Sequence, residues 1–305
     1  MPTAGSTRIQ RLLSAIALVI LATALPATAC LAAEGESKVP AADTAKTPVA
    51  KPPATATVTA VEKPGPQTAV YPKPSAQMEP LARSNPLELL RTALQWHDQT
   101  IADYTCEFHK IEQIDGKLRK PETMHMKFRN STFSVYLKWL TDPSRDQEVI
   151  YVEGANKGQA WVHPSGILGL IFRKVSVDPL SKSALKHSRR PITMAGMGSM
   201  LRLVATQCEE AQAKGDLKLT FEGVRIEAAR PHYVFRRALP KDKGYACETL
   251  IIFIDQENLL CTRTDAYDWG GDLLSHYSYT DIVVNPGLSD DDFDPDNRKY
   301  AFRLF

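Results

Sequence analysis

Apolar and polar residues alternate most clearly between Phe128 and Leu140, where the chain reads FRNSTFSVYLKWL. Every second residue from Phe133 to Trp139 is apolar, so an extended chain places these side chains on one face. The pattern predicts a β-strand with one strongly apolar face. Such a face either packs into a protein core or lines a cavity that holds an apolar ligand, and the pattern alone leaves both alternatives open.

Similar alternation predicts a series of antiparallel strands along most of the remaining chain. The dipeptide Asp115-Gly116 lies between two alternating segments, which is a strong signal for a two-residue β-hairpin turn. A long apolar run over 167–177 follows a turn and continues the series. After an interrupting helix, short turns separate strands that we predict over 217–221, 224–228, 232–239, 247–254, 259–268 and 273–284.

Two helices accompany these strands. Asn85 is a suitable N-cap, Pro86 suits the first helical position, and Glu88 completes a capping box ahead of an apolar stripe with helical spacing. A second stripe over about 195–213 ends at Gly215, a residue that favours helix termination. The elements predict an α+β domain in which a strongly curved antiparallel sheet, a half-barrel, wraps around two or so helices. Because two helices are few for such a sheet, they either fill its concave face or leave part of it open.

Residues 1–33 are predicted to be an export signal. Two arginines precede an apolar run, residues 12–25, that is too short to span a bilayer and is followed by small residues. Two cleavage positions fit: after Ala29, which leaves Cys30 as a lipidated N-terminus, or after Ala33, which gives ordinary release. We therefore expect an exported protein, either released into the periplasm or held on an envelope membrane through lipid on Cys30 alone.

Residues 34–82 are predicted to form a disordered tether. The segment holds nine of the chain's 21 prolines and a single aromatic residue, Tyr71. This composition cannot bury enough apolar surface to offset the entropy lost on ordering, so we expect an extended, semi-stiff linker. The folded domain is expected over 83–305, which is long enough for a substantial core.

Charge and cysteine spacing argue against two classes of site. The formal net charge is +2 with both signs mixed, which does not favour nucleic-acid binding. The basic pairs Arg189-Arg190 and Arg236-Arg237 are expected at solvated edges or turns. The domain's four cysteines form no CxxC pair, so we expect buried free thiols or long-range disulfides rather than a zinc site. They are Cys106, Cys208, Cys247 and Cys261.

Seven histidines and an acidic cluster over 290–296 raise the hypothesis of a metal site. His109 and His125 are placed to face each other across the predicted hairpin, but no HExxH or HxH motif accompanies them. The acidic cluster lacks the glycine and the terminal glutamate of a calcium loop. No GxSxG motif, glycine-rich phosphate loop or Cys–His motif indicates nucleophilic catalysis. We therefore expect neither an enzyme nor a metal or other cofactor.

Several segments resemble one family of exported bacterial proteins, the domain of unknown function DUF1571. They are DYTCEFHKIEQIDGKL, FSVYLKWLTDPSRDQEVIYVEGANKG, HSRRPITMAG and AYDWGGDLLSHYSYTDIVVNPGLSDDDFDPDNRKYAF. The resemblance covers about 87–302 and implies a family without an assigned activity. More remotely, the order of elements is similar to that of the lipoprotein carriers typified by LolA, in which a half-barrel sheet and a helical lid enclose an apolar cavity for acyl chains. The segments KFRNSTFSVYLKW and IDQENLLCTRTDAYD carry part of that likeness.

This resemblance implies an apolar cradle for a lipid or lipoprotein acyl chain. Apolar area suffices for such binding, since burying an acyl chain releases roughly 0.8 kcal/mol per methylene. Flexible methionines would adapt the cradle to different chains. The candidate lining residues are Phe108, Met124, Met126, Phe128, Phe133, Val135, Leu137, Trp139 and Trp161, with Met197 and Met200 as the movable lid.

Three arginines are candidate polar contacts at the lid. Arg129 and Phe133 match the carriers' Arg-Pro-x-x-Phe stretch, in which the arginine helps to hold the closed lid, although an Asn-Ser pair replaces the proline here. Arg189 and Arg190 in HSRRPIT are candidates to meet a lipid head group or a phosphate. The alternative for this pair is an interior salt bridge that fixes the start of the lid.

Two functions follow as hypotheses. The first is an envelope binding protein that holds or carries an acyl chain in the cradle. The second is a non-catalytic structural or sensory protein with a filled core, whose outer surface would bind another envelope protein. A cavity wide enough for a hydrocarbon chain would favour the first hypothesis, and a hollow filled by native side chains would favour the second.

Overall fold

One continuous antiparallel sheet makes up most of the described chain. The structure is a computed structural model that describes residues 78–303. The expected export signal, the candidate lipidation site Cys30 and nearly all of the expected tether lie outside these residues. The strands within them are β1 (Asp103–Ile114), β2 (Lys117–Leu118), β3 (Glu122–Arg129), β4 (Ser134–Trp139), β5 (Glu148–Val152), β6 (Ala160–His163), β7 (Val175–Val177), β8 (Lys218–Glu227), β9 (Arg230–Ala238), β10 (Thr249–Asp255), β11 (Cys261–Tyr267) and β12 (Leu273–Val284).

The strands follow the chain in two antiparallel runs that meet at β1. Their spatial order is β7-β6-β5-β4-β3-β1-β12-β11-β10-β9-β8, and β2 pairs with β1. The first and last strands are therefore neighbours, with Phe108 opposite Tyr279. On the other side of β1, Cys106 lies opposite Met126, which in turn lies opposite Leu137. This curved, open sheet with helices on one face confirms the predicted α+β half-barrel.

The helices of the described residues are α1 (Met78–Ser84), α2 (Pro86–Thr100), α3 (Gly166–Ile171), α4 (Lys182–Leu185) and α5 (Met197–Ala213). The predicted cap of α2 is confirmed, because the Asn85 side chain accepts a hydrogen bond from the Glu88 backbone N–H at 3.2 Å. The expected boundary between tether and domain falls inside α1, where Ala82 is fully buried. A short helix therefore precedes the predicted start of the domain.

The main core lies between the sheet and helices α2 and α5, on what we call the inner face. Leu89, Leu90 and Leu201 are among the helical side chains that are fully buried there. Beneath them the rings of Tyr104 and Phe128 stack, with their centroids 4.8 Å apart. Apolar burial of this kind is nondirectional, so it holds the helices on the sheet without fixing them by many polar contacts.

The opposite, outer face is covered in part by the C-terminal strap, residues 288–302. Tyr300 of the strap stacks on Tyr136 with ring centroids 4.4 Å apart, and Phe293 and Phe302 are buried in the same cluster. Lys127 donates to Asp292 at 2.7 Å and to the Tyr300 hydroxyl at 3.0 Å. The acidic cluster of the sequence is thus a capped 3-10 turn, Asp290–Phe293, that pairs with basic residues of the sheet.

Two elements differ from the sequence predictions. The apolar run over 167–177 contains helix α3 and only a three-residue strand, β7, because Gly166 adopts a φ of +62° and starts a helical turn. Short apolar runs fit either element by periodicity, and this one leaves Ile167 and Leu170 exposed. The two strands predicted over 217–228 are one strand, β8, with a bulge between Phe221 and Gly223.

The four described cysteines are buried free thiols, one of the two states expected from the sequence. Burial raises the pKa of the Cys261 thiol to about 12, so it is unreactive at neutral pH. Within residues 78–303, no group of three or more His, Cys, Asp or Glu side chains is arranged to hold a metal ion. None of the helices in this range combines the length and apolarity needed to cross a bilayer.

Candidate ligand-binding site

The predicted cradle residues of β1, β3 and β4 do lie together on the inner face. Met124, Met126 and Phe128 are each 1% exposed, and Val135 and Leu137 are buried beside them. The remaining aromatic residues pack around this cluster in partly buried positions. They are Phe108, Phe133 and Trp139.

The two candidate lid methionines are buried on the same face. Met197 and Met200 lie in the first turns of α5, and both belong to the same core cluster as the cradle residues. The helix begins after Gly196, whose φ of +101° is readily adopted only by glycine and where a Cβ would come 2.5 Å from the Phe128 ring. The chain thus brings the start of α5 into direct contact with the floor of the cradle.

Trp161 was wrongly assigned to the cradle. The register of β5 and β6 places it opposite Ile150, and both side chains belong to the outer cluster with Tyr136. Strand β6 has only four residues, too few for alternation to decide which side faces the helices. That Trp161 is aromatic therefore did not indicate which face of the sheet it lies on.

Native side chains fill most of the inner hollow. A cavity of about 50 Å³ lies beneath α5, with Met200 and Val204 of α5 above it and Leu250, Ala266 and Leu274 of the sheet as its floor. Pockets for small ligands typically measure about 300–1,000 Å³. A long acyl chain therefore does not fit beside α5 in this conformation, and binding one requires α5 to move away from the sheet.

Few polar contacts hold α5 on the sheet. Among the described residues, three side-chain hydrogen bonds join them: the Met197 N–H donates to the Tyr104 hydroxyl at 3.0 Å, the Thr264 hydroxyl donates to Met200 Sδ at 3.3 Å, and Arg237 donates to Gln207 at 2.8 Å. The other contacts are apolar. An apolar guest could replace these contacts without leaving many buried polar groups unpaired.

Arg237 is the most unusual side chain of the cavity wall. It is 2% exposed, and its Nη1 donates to Gln207 Oε1 at 2.8 Å while its Nη2 donates to Cys247 Sγ at 3.1 Å. Its Nε has no hydrogen-bond partner, and no carboxylate of the described residues lies within 4.0 Å of the guanidinium. The expectation of a solvated basic pair is thus wrong for Arg237, although Arg236 is exposed and pairs with Glu222 at 2.6 Å.

Arg189 and Arg190 lie at the mouth of the same cavity. The Arg189 guanidinium donates to the backbone carbonyl of Gln113 at 3.2 Å, and the Arg190 guanidinium lies 5.8 Å from the centre of the Tyr277 ring. Within the described residues neither guanidinium forms an ion pair with a carboxylate. The alternative of an interior salt bridge through these side chains is therefore wrong.

The nearest buried acid, Glu112, already has partners, although it shares its one cation with Glu122. Glu112 accepts from the Tyr277 hydroxyl and from the backbone N–H of Arg189, and it lies 3.3 Å from Lys110 Nζ. Lys110 also pairs with Glu122 at 2.9 Å. Burial, together with the neighbouring Glu112, raises the pKa of Tyr277, so its hydroxyl stays protonated as a donor.

Arg129 was wrongly expected at the lid. Strand alternation places it on the outer face, where it donates to Asp290 at 2.8 Å and to Ser134 at 3.2 Å and lies over the Phe293 ring at 4.9 Å. It therefore anchors the C-terminal strap rather than α5. Phe133, the other residue of the matched stretch, does face the cradle.

The outer face carries one constellation that the sequence did not reveal. His276 Nδ1 lies 2.6 Å from Asp265 Oδ1, and His276 Nε2 lies 3.1 Å from Ser278 Oγ. Although burial opposes it, hydrogen bonds from His276 and Arg263 hold the pKa of Asp265 below its ordinary value. None of the three residues borders the cavity beneath α5 or the hollow at α3. We interpret the constellation as a polar ladder across β11 and β12, since catalysis also needs a substrate pocket.

The histidine pair proposed from the sequence does not form across the hairpin. His109 lies opposite Thr123, whereas His125 lies opposite Glu107. His109 is hydrogen-bonded on both ring nitrogens, to Thr123 at 3.1 Å and to Thr280 at 2.9 Å. The two histidines are therefore two positions out of register, and their rings do not face each other.

A second, larger hollow lies at the far edge of the sheet. It measures about 470 Å³, is open to solvent, and is bordered by His163, Arg173 and the exposed residues Ile167 and Leu170 of α3. No predicted cradle residue borders it. It lies around α3 and the end of β6, away from the apolar core under α5.

Comparisons with known proteins give one family and several distant solved structures. A family model described as "Protein of unknown function (DUF1571)" matches residues 101–302. No curated protein matches the chain. The solved structures have low sequence identity to this chain, so they can be compared with it only in the general arrangement of the fold.

Three of these solved structures illustrate the range. A crystal structure of MucB has 14% identity and a TM-score of 0.43, with 69% of this chain and 63% of that chain covered. The Mycobacterium tuberculosis lipoprotein LppX has 14% identity and a TM-score of 0.40, with 69% and 100% covered. A LolA superfamily protein from Nitrosomonas europaea has 11% identity and a TM-score of 0.28, with 67% and 97% covered. This chain thus spans less than two thirds of MucB, and such scores carry no argument about ligand or partner.

Proposed function

The chain belongs to the DUF1571 family, and because that family brings no assigned activity, we propose from its own side chains that it is an exported, non-catalytic protein that binds an acyl chain under α5. The observation that supports the proposal is the cavity between α5 and strands β9–β12, which has an apolar floor and a flexible methionine, Met200, in its wall. The cradle residues of β1, β3 and β4 continue the same apolar surface.

In this proposal α5 is the lid and its apolar side chains occupy the place of the guest. Moving α5 exposes Met197, Met200 and Val204 together with the sheet beneath them. An acyl chain of about sixteen carbons would cover that surface again and contribute on the order of 10 kcal/mol before ordering costs. Because few hydrogen bonds join α5 to the sheet, replacing the α5 side chains by an acyl chain breaks few polar contacts.

The filled inner face favours a second candidate function, because no space wide enough for a hydrocarbon chain is free in this conformation. With only about 50 Å³ free beneath α5, the inner face acts as an ordinary core, and the protein would work through its outer surface as a structural or sensory partner of another envelope protein. The two candidates differ in one physical respect, which is whether α5 leaves the sheet.

Bound lipid distinguishes the two candidates. The full chain would be isolated gently from its host and weighed by native mass spectrometry, followed by displacement of a fluorescent fatty acid. For the acyl-binding function we expect a lipid adduct and saturable displacement. Protein without an adduct that also fails to bind the fluorescent probe would contradict this function and leave the filled-core protein.

Matched aromatic variants locate the site. Phe133→Asp and Trp139→Asp introduce a charge into the partly buried inner face, and we expect each to weaken probe binding at least about tenfold. Trp161→Asp is the control, because Trp161 is partly buried on the outer face. Equal losses in all three variants would indicate a general effect on folding, and unchanged binding in the inner pair would contradict the inner-face site.

A further inference from the structure

The charged side chains that border the cavity beneath α5 are all positive. Fifteen residues border it, and three of them are arginines: Arg189, Arg190 and Arg237. None of the fifteen is an aspartate or a glutamate. Glu112, the acid nearest to this wall, is held by Lys110 and Tyr277 and does not border the cavity. The free space under α5 therefore lies in a field that favours a negative charge.

Arg237 supplies the second, independent observation. A buried charge without a partner of opposite sign is costly, and natural proteins pair nearly all of them. Arg237 is 2% exposed and borders the cavity, yet its hydrogen-bond partners are the neutral Gln207 and Cys247, and its Nε is unpaired within the described chain. The fold thus holds a buried guanidinium with no carboxylate of residues 78–303 within 4.0 Å.

Strand alternation on β9 places Arg237 on the buried face of the sheet. Tyr233, Phe235 and Arg237 alternate along the strand, and the first two belong to the apolar inner core. An apolar residue at position 237 would continue that core against Leu250, its neighbour on β10. A charged residue is not needed for packing at this site: its hydrogen bond to Gln207 helps to hold α5, and its unpaired Nε leaves a donor for a group that enters the cavity.

Guanidinium chemistry identifies the class of ligand. Arginine presents planar donors that match the oxygens of a carboxylate or a phosphate. The Ser275 hydroxyl borders the same space and adds a donor, whereas the hydroxyls of Thr264 and Tyr277 already donate to Met200 Sδ and Glu112. Beside them, Val204 and Leu274 provide an apolar surface. The wall thus combines donors for an anion with contacts for hydrocarbon.

We infer that the cavity beneath α5 binds the anionic end, a carboxylate or phosphate, of an amphiphile whose acyl chain lies along the inner face. The inference rests on the proposed acyl-binding function and names its ligand class. The anion contacts Arg237 inside the cavity, while Arg190 and Arg189 close the mouth. Binding then compensates the buried charge of Arg237 while α5 is displaced by the acyl chain.

Three probes separate the head group from the chain: dodecyl phosphate, dodecanol and inorganic phosphate. Each would be titrated into the full chain by isothermal calorimetry at constant salt. We expect dodecyl phosphate to bind at least about tenfold more tightly than dodecanol, because charged hydrogen bonds within a protein contribute about 1.5–3 kcal/mol. Inorganic phosphate alone should bind weakly, since it lacks the chain.

The variants provide a matched pair of adjacent arginines. Arg237→Met removes the buried charge and keeps an unbranched side chain, and we expect dodecyl phosphate to fall to the affinity of dodecanol. Arg237→Lys keeps the charge and should retain part of the preference. Arg236→Met removes a neighbouring exposed arginine that pairs with Glu222, and should leave all three affinities unchanged. Circular dichroism and a melting curve check the fold of each variant.

The outcomes separate the inference from the function beneath it. Equal binding of dodecanol and dodecyl phosphate, or an unchanged preference in a folded Arg237→Met protein, would overturn the anionic head group and leave acyl binding intact. Binding of inorganic phosphate as tightly as dodecyl phosphate would overturn the acyl-binding function and, with it, the amphiphile. No binding of any probe to the unmodified protein would overturn both.

Discussion

The imidazole of His97 lies directly against the backbone of Gly198, where a Cβ would come 2.2 Å from its Cε1 atom. His97 is on α2 and Gly198 is in the first turn of α5, so the His97 ring fills the space between the two helices and leaves no room for a side chain at position 198. His97 is 2% exposed, and its ring therefore has no open space into which to move. This contact fixes the lid helix against its neighbour.

Gly198→Ala should destabilise the protein. Alanine would gain up to about 1 kcal/mol of helix propensity, but overpacking of a buried contact costs typically about 1–3 kcal/mol. We expect the overpacking cost to exceed the gain in helix propensity, because 2.2 Å is much shorter than a van der Waals contact. Urea unfolding would measure the change in unfolding free energy.

A double-mutant cycle checks that His97 causes this loss. His97→Ala removes the ring, so Gly198→Ala should cost less in that background than in the unmodified protein. Ser199→Ala, at the next position of the same helix, controls for general effects on α5. A cost that is identical in both backgrounds would show that the His97 ring is not what excludes the methyl group.

Stability should fall in mildly acidic solution partly because of His97. Burial lowers the pKa of His97 below its ordinary value, and the neighbouring Asp98, with Nδ1 and Oδ1 3.3 Å apart, offsets this only in part, while Arg202 adds to the lowering. Above about pH 6.5 the site is neutral in both states and its contribution to stability is complete. As the pH falls toward the folded pKa, the unfolded chain takes up a proton first, and stability drops by at most about 1.4 kcal/mol per pH unit.

His97→Leu tests this dependence. The variant cannot titrate at position 97, so its unfolding free energy should decline less between pH 7.5 and 5.5 than that of the unmodified protein. Burial also lowers the pKa values of His109, His125 and His232, so some decline will remain. Parallel curves for the two proteins would contradict the assignment.

Arg237→Met should leave the ligand-free protein as stable as before or make it more stable. Replacing a buried ion pair by apolar side chains of similar volume is often neutral or stabilising by about 1–4 kcal/mol, and removing Arg237 leaves behind no carboxylate within 4.0 Å among the described residues. The gain here is reduced by the hydrogen bonds that Gln207 and Cys247 lose. Thermal unfolding without lipid would measure it, with Arg236→Met as the exposed control. A clearly lower melting temperature for Arg237→Met alone would show that Arg237 stabilises the core.

Long strands made the inner face predictable. Strands β1 and β3 have twelve and eight residues, so alternation fixed the face of Met124, Met126 and Phe128 correctly. It failed for Trp161, because β6 has four residues and its face is set by pairing with β5. Local pattern cannot supply such tertiary information.

The arginines show a different limit. The predicted strand over 232–239 already placed Arg237 on the same face as Tyr233 and Phe235, yet the usual preference of arginine for solvent led to the opposite expectation. The alternation was the better guide. For Arg129 the same alternation correctly indicates the outer face. Its partner could not be predicted from local pattern, because Asp290 of the C-terminal strap is 161 positions away in sequence.

The C-terminal strap should contribute to stability mainly through Tyr300. Its ring stacks on Tyr136 and is largely buried over Ile150, so Tyr300→Ala opens a cavity and should cost about 3–5 kcal/mol, as large aromatic truncations do. Tyr300→Phe keeps the stack and removes only the hydroxyl that accepts from Lys127 at 3.0 Å and donates to the Asp292 carbonyl at 2.7 Å, which should cost about 1 kcal/mol. Chemical unfolding of the two variants would give both values. Equal costs would mean that the hydroxyl, and not the stacked ring, holds the strap on the sheet, because only the hydroxyl is lost in both.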